Sequence, residues 1–236
     1  MATVNEFLKL LYDQVGRGIY VWGGDGEILD QMSNPVAWIE RHEQSTSDAK
    51  RAIALYRERV KTGVTNIRAF DCSGLVYWAL HTLGLQKDDV NSRGLYGLCE
   101  KINKSELKPG DLVFHHNGIK IVHVGVWGEN GYQVECRGRD YGVVCNKRSS
   151  GYWNRFGRWK GFSPSPSPEP TPRIVYVKGG SVNVRVGDST KSSIIGVAHR
   201  GETYSLLGYG ASGWYQINFK GLIGYISNRA DLTELR

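Results

Sequence analysis

Phe70-Asp71-Cys72-Ser73-Gly74-Leu75 places a thiol where a helix should begin, and downstream His123-Val124-Gly125-Val126 places an imidazole on a strand. A thiol becomes a strong nucleophile only when a base takes its proton, so a cysteine on one element and a histidine on another is the minimal equipment for covalent acyl transfer. Cys72 and His123 are therefore the candidate nucleophile and general base.

The elements that must carry them can be read locally. From Ser73 the apolar residues Leu75, Val76, Trp78, Ala79 and Leu83 recur at spacings of three and four, and Gly84 supplies the stop. Asp71 is a good N-cap, and Phe70 and Leu75 occupy the two positions of a hydrophobic staple. Cys72 then falls in the first turn, where unpaired N–H groups and the helix dipole favour an anion. Its thiolate is expected to form below the ordinary pKa of about 8.5. Asp71 opposes that shift, so an imidazolium at His123 is needed to hold a thiolate near neutrality. Taken alone, a helical cysteine is more often a small buried hydrophobe; the surroundings decide.

Those surroundings are Tyr20-Val21-Trp22-Gly23-Gly24 before the cysteine, Leu107-Lys108-Pro109-Gly110-Asp111-Leu112-Val113-Phe114 after it, and then His-Val-Gly-Val. With the cysteine segment these make four motifs in order, and over residues 5 to 160 the chain resembles the NlpC/P60 family of papain-like cell-wall peptidases. The resemblance implies an α+β fold in which the cysteine helix packs on an antiparallel sheet carrying the histidine. In this family the residue that orients the base, commonly His, Asn or Gln, lies on the following strand, and Glu135-Cys136 occupies that place. Tyr132 to Cys136 should be extended after the turn Glu129-Asn130-Gly131, and pairing with Val122 to Trp127 would put Gln133 and Glu135 on the face beside His123. Glu135 is the expected third residue, because a carboxylate there fixes the tautomer and stabilises the imidazolium; Gln133 is the fallback. The resemblance also implies that Tyr20 binds substrate or shares the oxyanion with the Cys72 N–H, that Asp71 and Ser73 contact the stem peptide, and that Ser92 stands in a further substrate-binding region.

Cys99, Cys136 and Cys145 lack the close paired spacing of a zinc site, and His115-His116 has no third nearby ligand. No cofactor or structural metal is expected, and no disulfide framework is needed. Glu6 to Val15 reads as an amphipathic helix built on Phe7, Leu8, Leu11 and Val15, and Ser45 to Arg59 as a charged helical insert that could wall the cleft. Neither a signal peptide nor a membrane span is visible. The product is expected to be made in the cytoplasm, without membrane insertion, as a monomer.

Five of the seven prolines fall in Ser163-Pro164-Ser165-Pro166-Ser167-Pro168-Glu169-Pro170-Thr171-Pro172, an extended spacer. It separates a cysteine-peptidase domain, 1–162, from a second domain, 173–236. There Ser181 to Arg185, Ser193 to Ala198, Thr203 to Leu207, Gly213 to Ile217 and Leu222 to Ile226 read as strands of a small barrel of about five strands. Val182-Asn183-Val184-Arg185, Gly213-Trp214-Tyr215-Gln216-Ile217 and Ile223-Gly224-Tyr225-Ile226 resemble a bacterial SH3-like (SH3b) domain, which implies wall binding, with Trp214, Tyr215 and Tyr225 as groove or core aromatics.

The net charge of +7 favours encounter with an anionic polymer such as a bacterial wall. Nucleic acid is set aside for want of a basic stripe, zinc finger or RNA-binding signature. The resemblance makes the γ-D-glutamyl–diamino acid bond of the peptidoglycan stem peptide the expected target, with Arg137 or Arg93 available for the D-Glu α-carboxylate. It points to a phage or prophage endolysin released through a holin, or a bacterial autolysin. An N-acetylmuramoyl-L-alanine amidase, a cross-bridge endopeptidase and an inactive wall-binding protein are the alternatives.

Overall fold

The computed structural model describes residues 2–163, 174–210, 213–220 and 222–236; residues 164–172 of the expected linker lie outside them. The chain divides into two compact units, 1–165 and 166–236. Among the described residues no helix is long and apolar enough to cross a membrane.

Five helices belong to the first unit: α1 (Val4–Gln14), α2 (Pro35–His42), α3 (Thr46–Lys61), α4 (Cys72–Thr82) and α5 (Ser92–Leu98). Each begins on a side-chain cap that satisfies an otherwise orphaned N–H. Thr3 and Glu6 form a reciprocal capping box on α1, Asn34 accepts from the Ala37 N–H at α2, Ser45 from that of Asp48 at α3 and Asn91 from that of Gly94 at α5. On α4 the Asp71 carboxylate accepts from the Gly74 N–H at 2.7 Å, so the cap expected from the sequence is in place. The charged insert is α3, buried through Ala49, Ala52, Ile53, Leu55 and Tyr56; α2, which packs against it, was not anticipated.

The strands of this unit make two sheets. β1 (Ile19–Tyr20), β2 (Asp25–Ile28) and β3 (Arg68–Phe70) form a small one in the order β1-β3-β2. β4 (Glu100–Lys101), β5 (Leu112–His116), β6 (Ile121–Trp127), β7 (Gln133–Cys136), β8 (Val143–Asn146) and β9 (Arg155–Arg158) form an antiparallel sheet in the order β4-β9-β5-β6-β7-β8. Successive side chains on a strand point to opposite faces, and Leu112, Val113 and Phe114 are all fully buried. Both faces of β5 are therefore covered, and α4 packs on neighbouring β6 and β7. Burial of each such side chain stabilises by roughly 1.5–3 kcal/mol.

Gly74 is where the small sheet meets α4. The Asp71 N–H donates to the Gly24 carbonyl at 2.8 Å, which draws the Tyr20 to Gly24 segment onto the helix start. A Cβ on Gly74 would run into the Gly24 carbonyl oxygen and come within 2.5 Å of Asp25 Oδ1. Backbone cannot rotate away as a side chain can, so Gly74→Ala is expected to cost about 3 kcal/mol or more. The lowered urea midpoint of the isolated first unit would show it; a midpoint equal to wild type would mean that the segment and the helix do not meet so closely.

The second unit holds β10 (Ile174–Val177), β11 (Ser181–Arg185), β12 (Ile194–His199), β13 (Thr203–Tyr209), β14 (Tyr215–Phe219), β15 (Leu222–Ile226) and β16 (Thr233–Leu235). They bond in the order β12-β11-β15-β14-β13-β10-β16. Among the described residues the expectation of about five strands is corrected to seven: β10 and β16 are the short first and last strands, held by the pairing of β10 with β13 and with β16. Among the described residues the two ends of this order do not pair, so the sheet is open rather than a closed barrel. Its core is Val175, Val177, Val182, Val184, Ala198, Ile217, Phe219 and Ile226.

Candidate active site

Cys72 is the first residue of α4, and its sulfur lies within hydrogen-bond reach of the Val124 N–H, next in chain to His123. The helix thus packs on β6, the strand that carries His123. His123 Nε2 is 2.7 Å from Glu135 Oε2, which leaves Nδ1 as the nitrogen available to the thiol. The contact follows from register: Val126 pairs with Val134 and Trp127 with Gln133, so His123 and Glu135 emerge on one face, two residues apart along the ladder. Gly125 stands between them, and a Cβ there would come within 3.2 Å of the Glu135 Cβ and 3.1 Å of the Trp153 ring. Trp153 uses that space to stack on His123, centroids 5.5 Å apart and planes at 13°.

Glu135, with no solvent exposure, lies on the face beside His123 that the strand alternation predicts. Gln133, the fallback, does other work: its carbonyl accepts from the Trp153 indole N–H at 3.2 Å and from the Arg148 backbone N–H at 3.0 Å. Burial pushes Glu135 up, but the hydrogen bonds from His123 and Arg148 outweigh it, and the carboxyl ends below its ordinary value. Arg148 Nε and Nη2 reach the two carboxylate oxygens at 2.6 Å each. Arg148, Trp153 and Tyr152, whose ring packs edge-on to His123, carried no signal in the sequence, since each reaches the site only through tertiary folding.

The expected acidic thiol is corrected. Burial, and then the Asp71 carboxylate, push Cys72 up to about 12, against the Val124, Ser73 and Cys72 N–H groups that favour the thiolate. The helix N-terminus is thus outweighed by desolvation and a like charge. Asp71 has a local task besides, accepting from the Ser73 hydroxyl at 2.9 Å as well as from Gly74. Asp25 is pushed up to about 7, by burial first and then by Asp89, Asp71 and Glu27.

Tyr20 is buried at the end of β1, in register with Phe70 two residues before Cys72. Burial, then the neighbouring Cys72 and Asp71 charges, raise its phenol. The Arg139 guanidinium lies 4.8 Å from its ring and donates to the fully buried Glu43 from Nε at 2.9 Å and Nη2 at 2.5 Å. Glu43, at the end of α2, thus holds Arg139 against the Tyr20 ring. Ser92 is buried in the first turn of α5, which packs on α4 and β6. Arg93 is exposed, and Arg137 lies over the Tyr141 ring at 4.3 Å.

The remaining candidates have structural partners. His115 Nδ1 is 2.8 Å from the Tyr152 carbonyl and its ring stacks on Tyr152, and the Gly118 N–H donates to His116 Nδ1. Cys136 donates to the Phe70 carbonyl at 3.3 Å, on the opposite face from Glu135. In the second unit Tyr215 packs against the core, Tyr225 accepts from the Gln216 amide at 2.8 Å and Trp214 is half-buried just before β14.

Residues 58–158 match the NlpC/P60 family and residues 180–230 the bacterial SH3 domain. A probable endopeptidase p60 of Listeria grayi is 30% identical over 131 residues, covering 52% of this chain and 25% of that protein. The bifunctional muramidase/DL-endopeptidase CwlT of Bacillus subtilis is 36% identical over 98 residues, covering 39% and 29%. The chain thus spans about a quarter of the length of these relatives. Among solved structures, the P60 domain of M. avium subspecies paratuberculosis antigen MAP1204 is 21% identical, covering 68% of this chain and 96% of that one with a TM-score of 0.47. The chain carries an NlpC/P60 domain followed by a bacterial SH3 domain.

Proposed function

We propose that the first unit is a cysteine endopeptidase of peptidoglycan that cleaves the bond between γ-D-glutamyl and the diamino acid of the stem peptide. The observation that carries this reading is the placement of Cys72 at the start of α4, a helix that packs on β6 and β7, the two strands that hold His123 Nε2 and Glu135 Oε2 2.7 Å apart. Because the thiol is pushed up to about 12, its proton leaves during attack rather than before it. His123 Nδ1 accepts that proton as the sulfur bonds to the amide carbon, then gives it to the leaving amine; water, deprotonated by the same nitrogen, releases the acid from the thioester and restores the thiol. Glu135 fixes the tautomer and balances the transient imidazolium. The Cys72 N–H and the Tyr20 hydroxyl stabilise the oxyanion.

The names of the relatives support a stem-peptide substrate: p60 is named a probable endopeptidase and CwlT a DL-endopeptidase. The second unit holds the enzyme on the wall, with Trp214, Tyr215 and Tyr225 as its binding aromatics, in a phage endolysin or a bacterial autolysin. Liquid chromatography and mass spectrometry of digests of diaminopimelate- and lysine-type peptidoglycan test the bond. New amino groups on the diamino acid are expected. New amino groups on L-alanine would make the enzyme an amidase, products split within the bridge would make it a cross-bridge endopeptidase, and unchanged muropeptides would leave a wall-binding protein.

A further inference from the structure

We propose that Arg148 is a positioning residue of the catalytic centre: by forking across both oxygens of Glu135 it fixes that carboxylate and supplies the counter-charge that His123 would otherwise have to provide. This rests on the Cys72–His123–Glu135 reading and adds a residue to it.

A carboxylate with no exposure must find its counter-charge nearby, since an isolated buried charge is strongly unfavourable. Two cations could serve Glu135: an imidazolium at His123 or a guanidinium at Arg148. Arginine is permanently charged and matches a carboxylate in a two-point fork, and here the fork is closed, with Nε on Oε1 and Nη2 on Oε2 at 2.6 Å each. His123 therefore has no need to be charged in the resting enzyme to satisfy Glu135. Arg148 is itself held, by its backbone N–H to Gln133 Oε1 and by the Tyr152 ring 4.3 Å from its guanidinium. Gln133 Oε1 also accepts from Trp153, which stacks on His123; the histidine and the arginine thus share one support. The Asn146 amide, in the orientation that satisfies both its ends, donates to Glu135 Oε1 at 3.0 Å and accepts from Arg137 Nη1 at 3.1 Å. The titratable and charged groups around the pair are His115, opposite His123 on β5, Arg148 beyond β8, Arg137 and Cys136 on and after β7, Cys72 and its neighbour Asp71 on α4, and Tyr152.

Removal of the guanidinium leaves Glu135 to draw a proton onto its histidine, and a protonated imidazole cannot act as base. The acid limb of kcat/KM, which reports the base of the free enzyme, is expected to move up by about one pH unit in Arg148→Met, with KM little changed. Arg148→Lys keeps the charge and loses the fork: its limb should stay within a few tenths of a unit of wild type while kcat falls several-fold. In a Glu135→Gln background, which has no charge to balance, Arg148→Met should leave the limb where Glu135→Gln alone puts it. An unmoved limb in Arg148→Met would overturn the proposal, as would the same displacement in the Glu135→Gln background or a full unit in Arg148→Lys. Should Arg148→Met fail to fold, the lysine variant decides alone. Wild-type hydrolysis by Cys72→Ala, in contrast, would remove the catalytic reading and leave the ion pair a structural one.

Discussion

Cys72→Ala is expected to lower kcat/KM on a soluble muropeptide by about 10⁴-fold or more, the scale seen when a catalytic nucleophile is deleted. The size follows from what remains. Without sulfur there is no thioester path, and His123, held by Glu135 at 2.7 Å, has lost the nucleophile whose proton it takes. Alanine suits the first turn of α4, whose cap is made by Asp71 and not by Cys72, so the fold should survive, with a urea midpoint near that of wild type. Cys72→Ser should be nearly as inactive, because a hydroxyl is far less acidic than a thiol in the same position. Steady-state rates with matched midpoints check this. A folded Cys72→Ala protein that turns over within tenfold of wild type would require another nucleophile.

His123→Ala is the second large effect and has a distinct signature. A thiol pushed up to about 12 is ionised to only about one part in 10⁵ at pH 7, since each unit below the pKa costs a factor of ten. With the base gone, that fraction alone reacts, and the rate should fall by about 10³–10⁴-fold, near the upper end of what general-base catalysis supplies. The remaining rate should climb about tenfold per pH unit between pH 6 and 9, where wild type should be nearly flat above its acid limb. Added imidazole should restore part of it by entering the space between Trp153 and the thiol. A pH profile of His123→Ala parallel to that of wild type would mean that the base is elsewhere.

What could be read in advance was whatever depends on neighbours in sequence. The α4 helix and its Asp71 cap follow from a few consecutive residues, and the alternation of β7 was enough to set Glu135 beside His123. The acidity of the thiol was misjudged because a helix N-terminus is visible in sequence, whereas the burial that outweighs it is not. Arg148 reaches Glu135 only because β7 and β8 pair Glu135 with Val144 and the chain then turns back, and nothing local to Arg148 signals that. The same holds for Glu43 and Arg139, which meet across most of the first unit to brace Tyr20. In the second unit the five strands in between were legible, while β10 and β16, the short first and last strands held by pairing with β13 and with each other, were not.

The most direct test of the central claim is to present the site with a γ-D-glutamyl peptide carrying a diazomethyl ketone in place of the scissile amide, and to locate the label by peptide mass spectrometry. A single adduct on Cys72 in wild type is expected, slowed in His123→Ala and absent in Cys72→Ala. Label on Cys99, Cys136 or Cys145, or an enzyme that continues to hydrolyse the stem peptide with Cys72 fully labelled, would contradict the assignment of Cys72 as the nucleophile.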